Sequence, residues 1–332
     1  MGDKWGEKTL VYQLKSLHKL SLPTPFPVGP VNVYLLRGDN LVLIDTGPKT
    51  EEALNALKSS LKQYGYTLND IEVVILTHHH SDHAGLLDQF EHAKIFGHER
   101  NEPWISFDQS FYKKQRSFIE QLFRQEGVEA SLLKKVLEDT GPDRYLTKGS
   151  LDGILHEGDE IPGFSEWIAI ETPGHAGSHL SFLNESDGTL IAGDTMISHL
   201  FPTPLLEAPY GYDEERPKPL LQLRETLLKH LQYDVQLIQS GHGEDLYDIK
   251  SVIERQFQKH EQRAQKVERF LQEKGKMTSF EISKYLFPNG YDRSTFLTMS
   301  ETIGIIDYML SRGQLSAMHR NEIEMEYALI KT

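Results

Sequence analysis

No cysteine occurs anywhere in the 332 residues. That absence excludes disulfides, thiolate zinc sites, iron–sulfur clusters and cysteine nucleophiles. Long apolar runs are missing as well, and none approaches the length that spans a bilayer, so no membrane contact is expected. Positive charge is scarce. Lys and Arg number 35 against 49 Asp and Glu, a net charge of −14, which disfavours non-specific binding to nucleic acid or anionic lipid. The opening segment, MGDKWGEKTLVYQLK, lacks the apolar centre of a signal peptide. A soluble cytoplasmic protein is the expectation.

What is present is ordinary globular composition, 38% hydrophobic and 25% charged, at a length that suits one large domain or two unequal ones. The acidity is uneven: residues 251–332 hold 12 Lys/Arg and 11 Asp/Glu, leaving 23 and 38 for the first 250. The shift, with the patterns below, predicts a larger acidic domain over 1–245 and a smaller, nearly neutral one over 246–332.

The first part alternates strands and helices. Val31–Leu36 and Leu41–Ile44 flank a turn cluster and predict a hairpin, with a second over His179–Phe182 and Thr189–Ala192. Thr50 followed by Glu51 and Glu52 predicts a capped helix with Leu54, Leu57 and Leu61 on one face. Ile71–Leu76 reads as a buried strand. Between 97 and 149 the pattern is helical and aromatic, with Trp104, Phe107, Phe111, Tyr112, Phe118 and Phe123. Such side chains either fill a core or cap a substrate cleft.

In the last 85 residues, apolar positions from Leu246 to Leu271 predict one long amphipathic helix. Thr278-Ser279-Phe280-Glu281 is a capping box opening a short helix. Phe296 to Leu310 marks another helix closed by Gly313, and Leu315–His319 and Glu324–Ile330 predict a two-stranded finish. Helices followed by a hairpin describe a winged helix.

The chemistry concentrates in Thr77-His78-His79-His80-Ser81-Asp82-His83, directly after the predicted strand. Four imidazoles and a carboxylate at a strand end are costly to bury unpaired, and neutral imidazole with carboxylate suits zinc and similar divalent ions. His78 and His80 are spaced to face one way and hold one metal, while Asp82 and His83 lie past the turn, placed for a second. His79 alternates away from them, so packing or orientation is its expected role. His179 is read as cleft-lining or structural. His92, His98, His156, His199, His230, His260 and His319 have no ligand-like spacing.

The chain resembles the metallo-β-lactamase superfamily in five ordered motifs over residues 30–245. They are Leu43-Ile44-Asp45-Thr46-Gly47, the His-x-His-x-Asp-His of 78–83, Thr172-Pro173-Gly174-His175, Gly193-Asp194-Thr195 and Ser240-Gly241-His242-Gly243. The resemblance implies a four-layer αββα sandwich, with 97–149 as a helical insertion. It places His78, His80 and His175 on one metal and Asp82, His83 and His242 on another. Asp194 bridges both, and Asp45 supports the ligands from behind. Two divalent ions follow, zinc first, with manganese or iron as alternatives. Asp at 194 and the lack of cysteine separate the chain from the true zinc β-lactamases. His at 80 separates it from the diiron oxygen-reducing relatives, which carry Glu. His175-Ala176-Gly177-Ser178 departs from the usual His-x-x-Gly, and a modest change of the turn is expected.

The implied activity is hydrolysis of a small-molecule ester, thioester or lactone by metal-bound hydroxide, with Asp82 also orienting the nucleophile or taking its proton. A phosphodiesterase or endoribonuclease is the alternative, disfavoured because a polyanion would meet an acidic domain. The tail resembles the winged-helix module of lactamase-like hydrolases. Lys274, Lys276, Lys284 and Arg293 read as a solvated face, and packing on the catalytic domain or homodimerisation as the tail's role.

Overall fold

The computed structural model describes residues 16–211 and 214–330, and the segment read above for its lack of a signal peptide lies outside them. Two sheets face each other. The first runs β1 (Ser16–Leu22), β2 (Val31–Arg37), β3 (Leu41–Ile44), β4 (Val73–Ile75), β5 (Lys94–Gly97) and β6 (Gly153–Ile154), in that spatial order. β1, β2 and β3 pair antiparallel; from β3 to β6 the pairing is parallel. The second sheet holds β7 (Glu160–Ile161), β8 (Phe164–Glu171), β9 (Leu180–Asn184), β10 (Thr189–Gly193) and β11 (Leu237–Ser240), in the order β11-β10-β9-β8-β7.

The alternation of side chains across each strand assigns them to layers. On β2 and β3, Val33, Leu35, Leu41 and Leu43 join an outer core, whereas Tyr34, Leu36, Val42 and Ile44 join the core between the sheets. On the second sheet Trp167, Ala169, Phe182 and Ile191 meet them from the opposite side. Helix α1 (Glu51–Gln63) covers the first sheet with Ala53, Leu57 and Leu61. Each fully buried leucine contributes about 1.5–3 kcal/mol. Its start follows the expected chemistry: the Thr50 side chain accepts from Ala53 N at 3.1 Å.

Two one-turn helices, α2 (Ser81–Ala84) and α3 (Glu102–Ile105), precede α4 (Gln109–Gln125) and α5 (Ala130–Glu138). The second sheet's outer face is covered by α6 (Pro219–His230) and α7 (Ile249–Lys274), through Leu223, Leu227, Val252 and Ile253. Helices therefore flank the paired sheets on both sides. The chain ends in α8 (Ser279–Leu286), α9 (Thr295–Ser311) and an antiparallel pair, β12 (Leu315–His319) with β13 (Met325–Leu329). The capping box forms as read: Thr278 N donates to Glu281 Oε2 at 2.8 Å and Glu281 N to Thr278 Oγ1 at 3.2 Å.

The C-terminal helices share a core with the inserted ones. Phe123, Leu132, Leu133 and Val136 of α4 and α5 pack with Phe280 of α8 and with Met299 and Ile303 of α9. Two of the four tail cations are engaged in ion pairs. Lys276 pairs with Glu326 at 3.3 Å and Lys284 with Glu129 at 2.6 Å. Among the described residues no helix is long and apolar enough to cross a membrane.

Candidate metal centre

The seven predicted side chains converge where the ends of β3, β4, β10 and β11 meet the loop after β8. Potential ligand atoms lie within 4.8 Å of one another in three overlapping groups: His78, His80 and His175; His78, His83 and Asp194; and Asp82, His83 and His242. All seven side chains come from loops or first turns at strand ends, where the parallel pairing of β3–β4 and β10–β11 aims consecutive loops at one point.

Four of the five imidazoles are held by a partner behind them. Asp45 Oδ2 accepts from His83 Nδ1 at 2.7 Å and from Thr77 Oγ1 at 2.7 Å, while Oδ1 accepts from Thr77 N at 2.8 Å. Because the Thr77 hydroxyl donates to Asp45, it accepts from His78 Nδ1, 2.9 Å away. His175 Nδ1 donates to Thr203 O and His242 Nδ1 to Pro30 O, each at 2.9 Å. These four rings therefore turn Nε2 inward. His80 instead turns Nδ1 inward, 2.9 Å from His78 Nε2 and 3.0 Å from His175 Nε2. Asp194 faces the Nε2 atoms of His83, His175 and His242, each 3.5 Å from one of its oxygens. Asp82 Oδ2 lies 3.3 Å from His242 Nε2.

Backbone geometry is committed to this arrangement. Asp45 sits at φ +62°, a left-handed conformation that Asp tolerates better than most residues. A Cβ on Gly241 would stand 2.1 Å from Asp194 Oδ1, so any side chain there would displace the carboxylate. Asn32 holds the same loop from β2, its Nδ2 donating to Ser240 O at 3.0 Å and Gly243 O at 2.9 Å.

The donor set asks for a cation. The Nε2 atoms of His83 and His242 and Oδ1 of Asp194 are buried without a hydrogen-bond partner, which is costly unless something binds them. Burial holds His80 down to about 3, helped by His175, and takes His78 well below the ordinary range. Burial also opposes charge on His83, yet Asp194, Asp45 and Asp82 outweigh it and raise its pKa well above the usual value. For His242 the balance, led by Asp194, lands at about 10. His175 is likewise lowered by burial, so three imidazoles stay bare bases and two are pulled toward positive charge by carboxylates. Divalent ions fit this pattern, since they accept the bare nitrogens and neutralise the acids together.

Several neighbours were not legible as functional. His179 proves structural: its Nε2 accepts from Asp194 N at 3.0 Å while Nδ1 contacts Thr172 Oγ1 at 2.6 Å. His79 stacks on Trp104 with centroids 4.2 Å apart and planes 4° apart, and its Nδ1 lies 2.8 Å from Ser178 Oγ. Trp104 Nε1 donates to Tyr210 Oη, which donates to Glu207 Oε2. Burial raises the Glu207 pKa, and its other oxygen accepts from Gly177 N at 3.0 Å. This contact secures the turn that departs from the familiar motif.

His98 and His156, read as lacking ligand spacing, are brought with Glu171 into a second grouping. There His98 Nδ1 accepts from Arg100 N at 3.0 Å, so its free nitrogen carries the proton and is a poor ligand.

The model of the metallo-beta-lactamase superfamily matches residues 26–242. A curated relative from Bacillus subtilis, named "Probable metallo-hydrolase YqjP", is 40% identical over 87% of this chain and 91% of its own. A solved metallo-beta-lactamase family protein from Thermus thermophilus superposes with a TM-score of 0.76 at 27% identity, covering 95% of this chain and 98% of the other. A beta-lactamase domain protein from Burkholderia ambifaria shares the fold at a TM-score of 0.72 and 20% identity, over 95% and 92%. With the five motifs gathered at one centre and the family match spanning all of them, the chain belongs to the metallo-beta-lactamase superfamily, and it is a metal-dependent hydrolase.

Proposed function

We propose that the chain is a dinuclear hydrolase of a small-molecule ester, thioester or lactone. The observation that carries this reading is the direction of the donors: four histidines spend Nδ1 on outward acceptors and turn Nε2 inward, His80 turns Nδ1 inward, and two carboxylates lie between them. In this reading His78, His80 and His175 hold one ion, Asp82, His83 and His242 the other, and Asp194 serves both. Zinc is the first choice for an all-nitrogen-and-oxygen site of this kind, with manganese or iron next. When bound, the ions supply Lewis acidity toward a carbonyl oxygen and lower the pKa of coordinated water to about 7.

The chain's own residues do the rest. Asp45 fixes His83 directly and His78 through Thr77, so two ligands are oriented by one carboxylate. Asp82 orients the attacking water or takes its proton. Hydrolysis breaks the acyl C–O or C–S bond, leaves the water's hydroxyl on the acyl carbon and delivers its proton to the departing oxygen or sulfur. The tail belongs to the same proposal as a winged-helix module beginning at 246, whose task is packing, on the inserted helices first and in a homodimer second. The acidity of the first 250 residues supports an acyl substrate over a phosphodiester.

A panel of thioesters, lactones, aryl esters, bis-aryl phosphodiesters and short RNAs, run on metal-quantified protein, tests the reading. Turnover confined to acyl substrates is expected. Cleavage of phosphodiesters or RNA alone would overturn it.

A further inference from the structure

The two loops that carry the three-histidine group are tied together by residues that are not ligands. His79 stands between His78 and His80, and Gly177 and Ser178 follow His175 by two and three positions. Two routes join them. The short one is a single contact, His79 Nδ1 to Ser178 Oγ at 2.8 Å. The long one begins where Trp104 stacks on the His79 ring. Trp104 Nε1 donates to Tyr210 Oη at 2.7 Å, Tyr210 Oη donates to Glu207 Oε2 at 2.9 Å, and Glu207 Oε1 accepts from Gly177 N at 3.0 Å. The contacts close on themselves as a ring.

His79, Ser178 and Glu207 are buried, and polar contacts out of water hold position more firmly than exposed ones. The turn is also fitted to its carboxylate. A Cβ on Gly177 would stand 2.7 Å from Glu207 Oε2, so a larger residue there would push the two apart. Tyr210 is anchored from the inserted helices: Arg100 Cζ lies 4.9 Å from its ring centroid, and Lys114 Nζ donates to its carbonyl at 3.0 Å. The ring serves one half of the centre. Its members flank His78, His80 and His175, whereas His83 is held by Asp45 and His242 by Pro30 O, neither of which belongs to it.

We propose that this ring is a clamp that sets the spacing of His78 and His80 against His175, and so governs the affinity of one ion without contacting it. Ser178, Glu207 and Tyr210 are positioning residues. Because the two routes run in parallel, either alone keeps the loops in register, and loss of both frees them. The selectivity for one ion rests on the two-ion reading above; the clamp itself rests on the contacts. Through Trp104, the inserted helices become a support of the metal centre.

Zinc affinity, measured by chelator competition in two backgrounds, tests the proposal. His242→Ala leaves the three-histidine group intact, and His175→Ala leaves Asp82, His83 and His242. Tyr210→Phe removes one hydroxyl from the long route and keeps the ring under Arg100, so it should fold. Ser178→Ala cuts the short route. In the His242→Ala background each should weaken zinc about three-fold and the pair about thirty-fold, more than the product of the two. In the His175→Ala background the affinity should not change. Glu207→Gln keeps an acceptor for Gly177 N and a donor toward Tyr210 Oη, so it should retain the affinity that Glu207→Leu loses.

A purely structural role would lower the melting temperature of the metal-free variants and shift both backgrounds alike. Equal losses in the two backgrounds, or a double variant no weaker than the product of the singles, would overturn the clamp. Saturation of the wild type at one ion would sink the two-ion reading by itself. The clamp would then stand if the double variant weakens that ion about thirty-fold, and fall if it does not.

Discussion

At the scale of single residues, the account depends on partners that stand behind the ligands. Asp45 spends both oxygens on Thr77 and His83, and Asn tolerates its left-handed backbone. Asp45→Asn should therefore fold but turn an amide toward the ring it ought to accept from. We expect zinc affinity to fall about 10–100-fold by chelator competition, the usual cost of losing such a partner. Unchanged affinity would remove Asp45 from the positioning role. The candidate ligands stood out in the sequence because 78–83 is one short run and the rest sit in short motifs beside a glycine. Ser178 and Glu207 were not legible. Both lie in aperiodic loops, and only the tertiary fold shows that each is buried.

At the scale of elements, α4 and α7 carry separable predictions. Phe123 of α4 is fully buried in the core shared with α8 and α9, so Phe123→Ala should cost about 3–5 kcal/mol in denaturant titrations. A loss below about 1 kcal/mol would mean that this core contributes little. His260 of α7 is held down to about 3 by burial, then by Arg224 and Arg263. The unfolded chain takes up that proton near the ordinary value of about 6.5, so the unfolded state binds more protons below it. Stability from this group is full above pH 6.5 and declines as pH falls toward 3, with a slope approaching about 1.4 kcal/mol per pH unit. In metal-free protein, His260→Gln should flatten the fall of Tm between pH 6.5 and 5. Parallel curves for the two proteins would contradict the assignment.

Strong periodicity made α1, α7, α8 and α9 readable, and turn clusters exposed both hairpins. The run Ile71–Leu76 overstated its strand, because β4 pairs only over Val73–Ile75 against the four-residue β3. β1, β5, β8, β11 and α6 were not anticipated. β8 buries residues on both faces, and α6 opens with Pro219 after a long aperiodic loop. Of the aromatics between 97 and 149, Phe123 lies in the helical core and Trp104 against His79. The core-filling role is thus seen in Phe123, while Trp104 stands beside the candidate centre.

At the scale of the molecule, the shared core makes the tail more than an appendage. Removing residues 275–332 would strip Phe280, Met299 and Ile303 from α4 and α5. The shortened protein should aggregate or melt earlier, with metal content less affected, because every proposed ligand precedes residue 245. A soluble truncation with unchanged melting but no bound metal would contradict that division of labour. The central claim is that one set of seven side chains holds two ions through a shared carboxylate. Elemental analysis of reconstituted, dialysed protein beside Asp194→Ala tests it most directly. About two divalent ions per chain are expected in the wild type, with both weakened together in the variant. A single ion at saturation, or a variant that loses one ion and keeps the other at full affinity, would contradict the account.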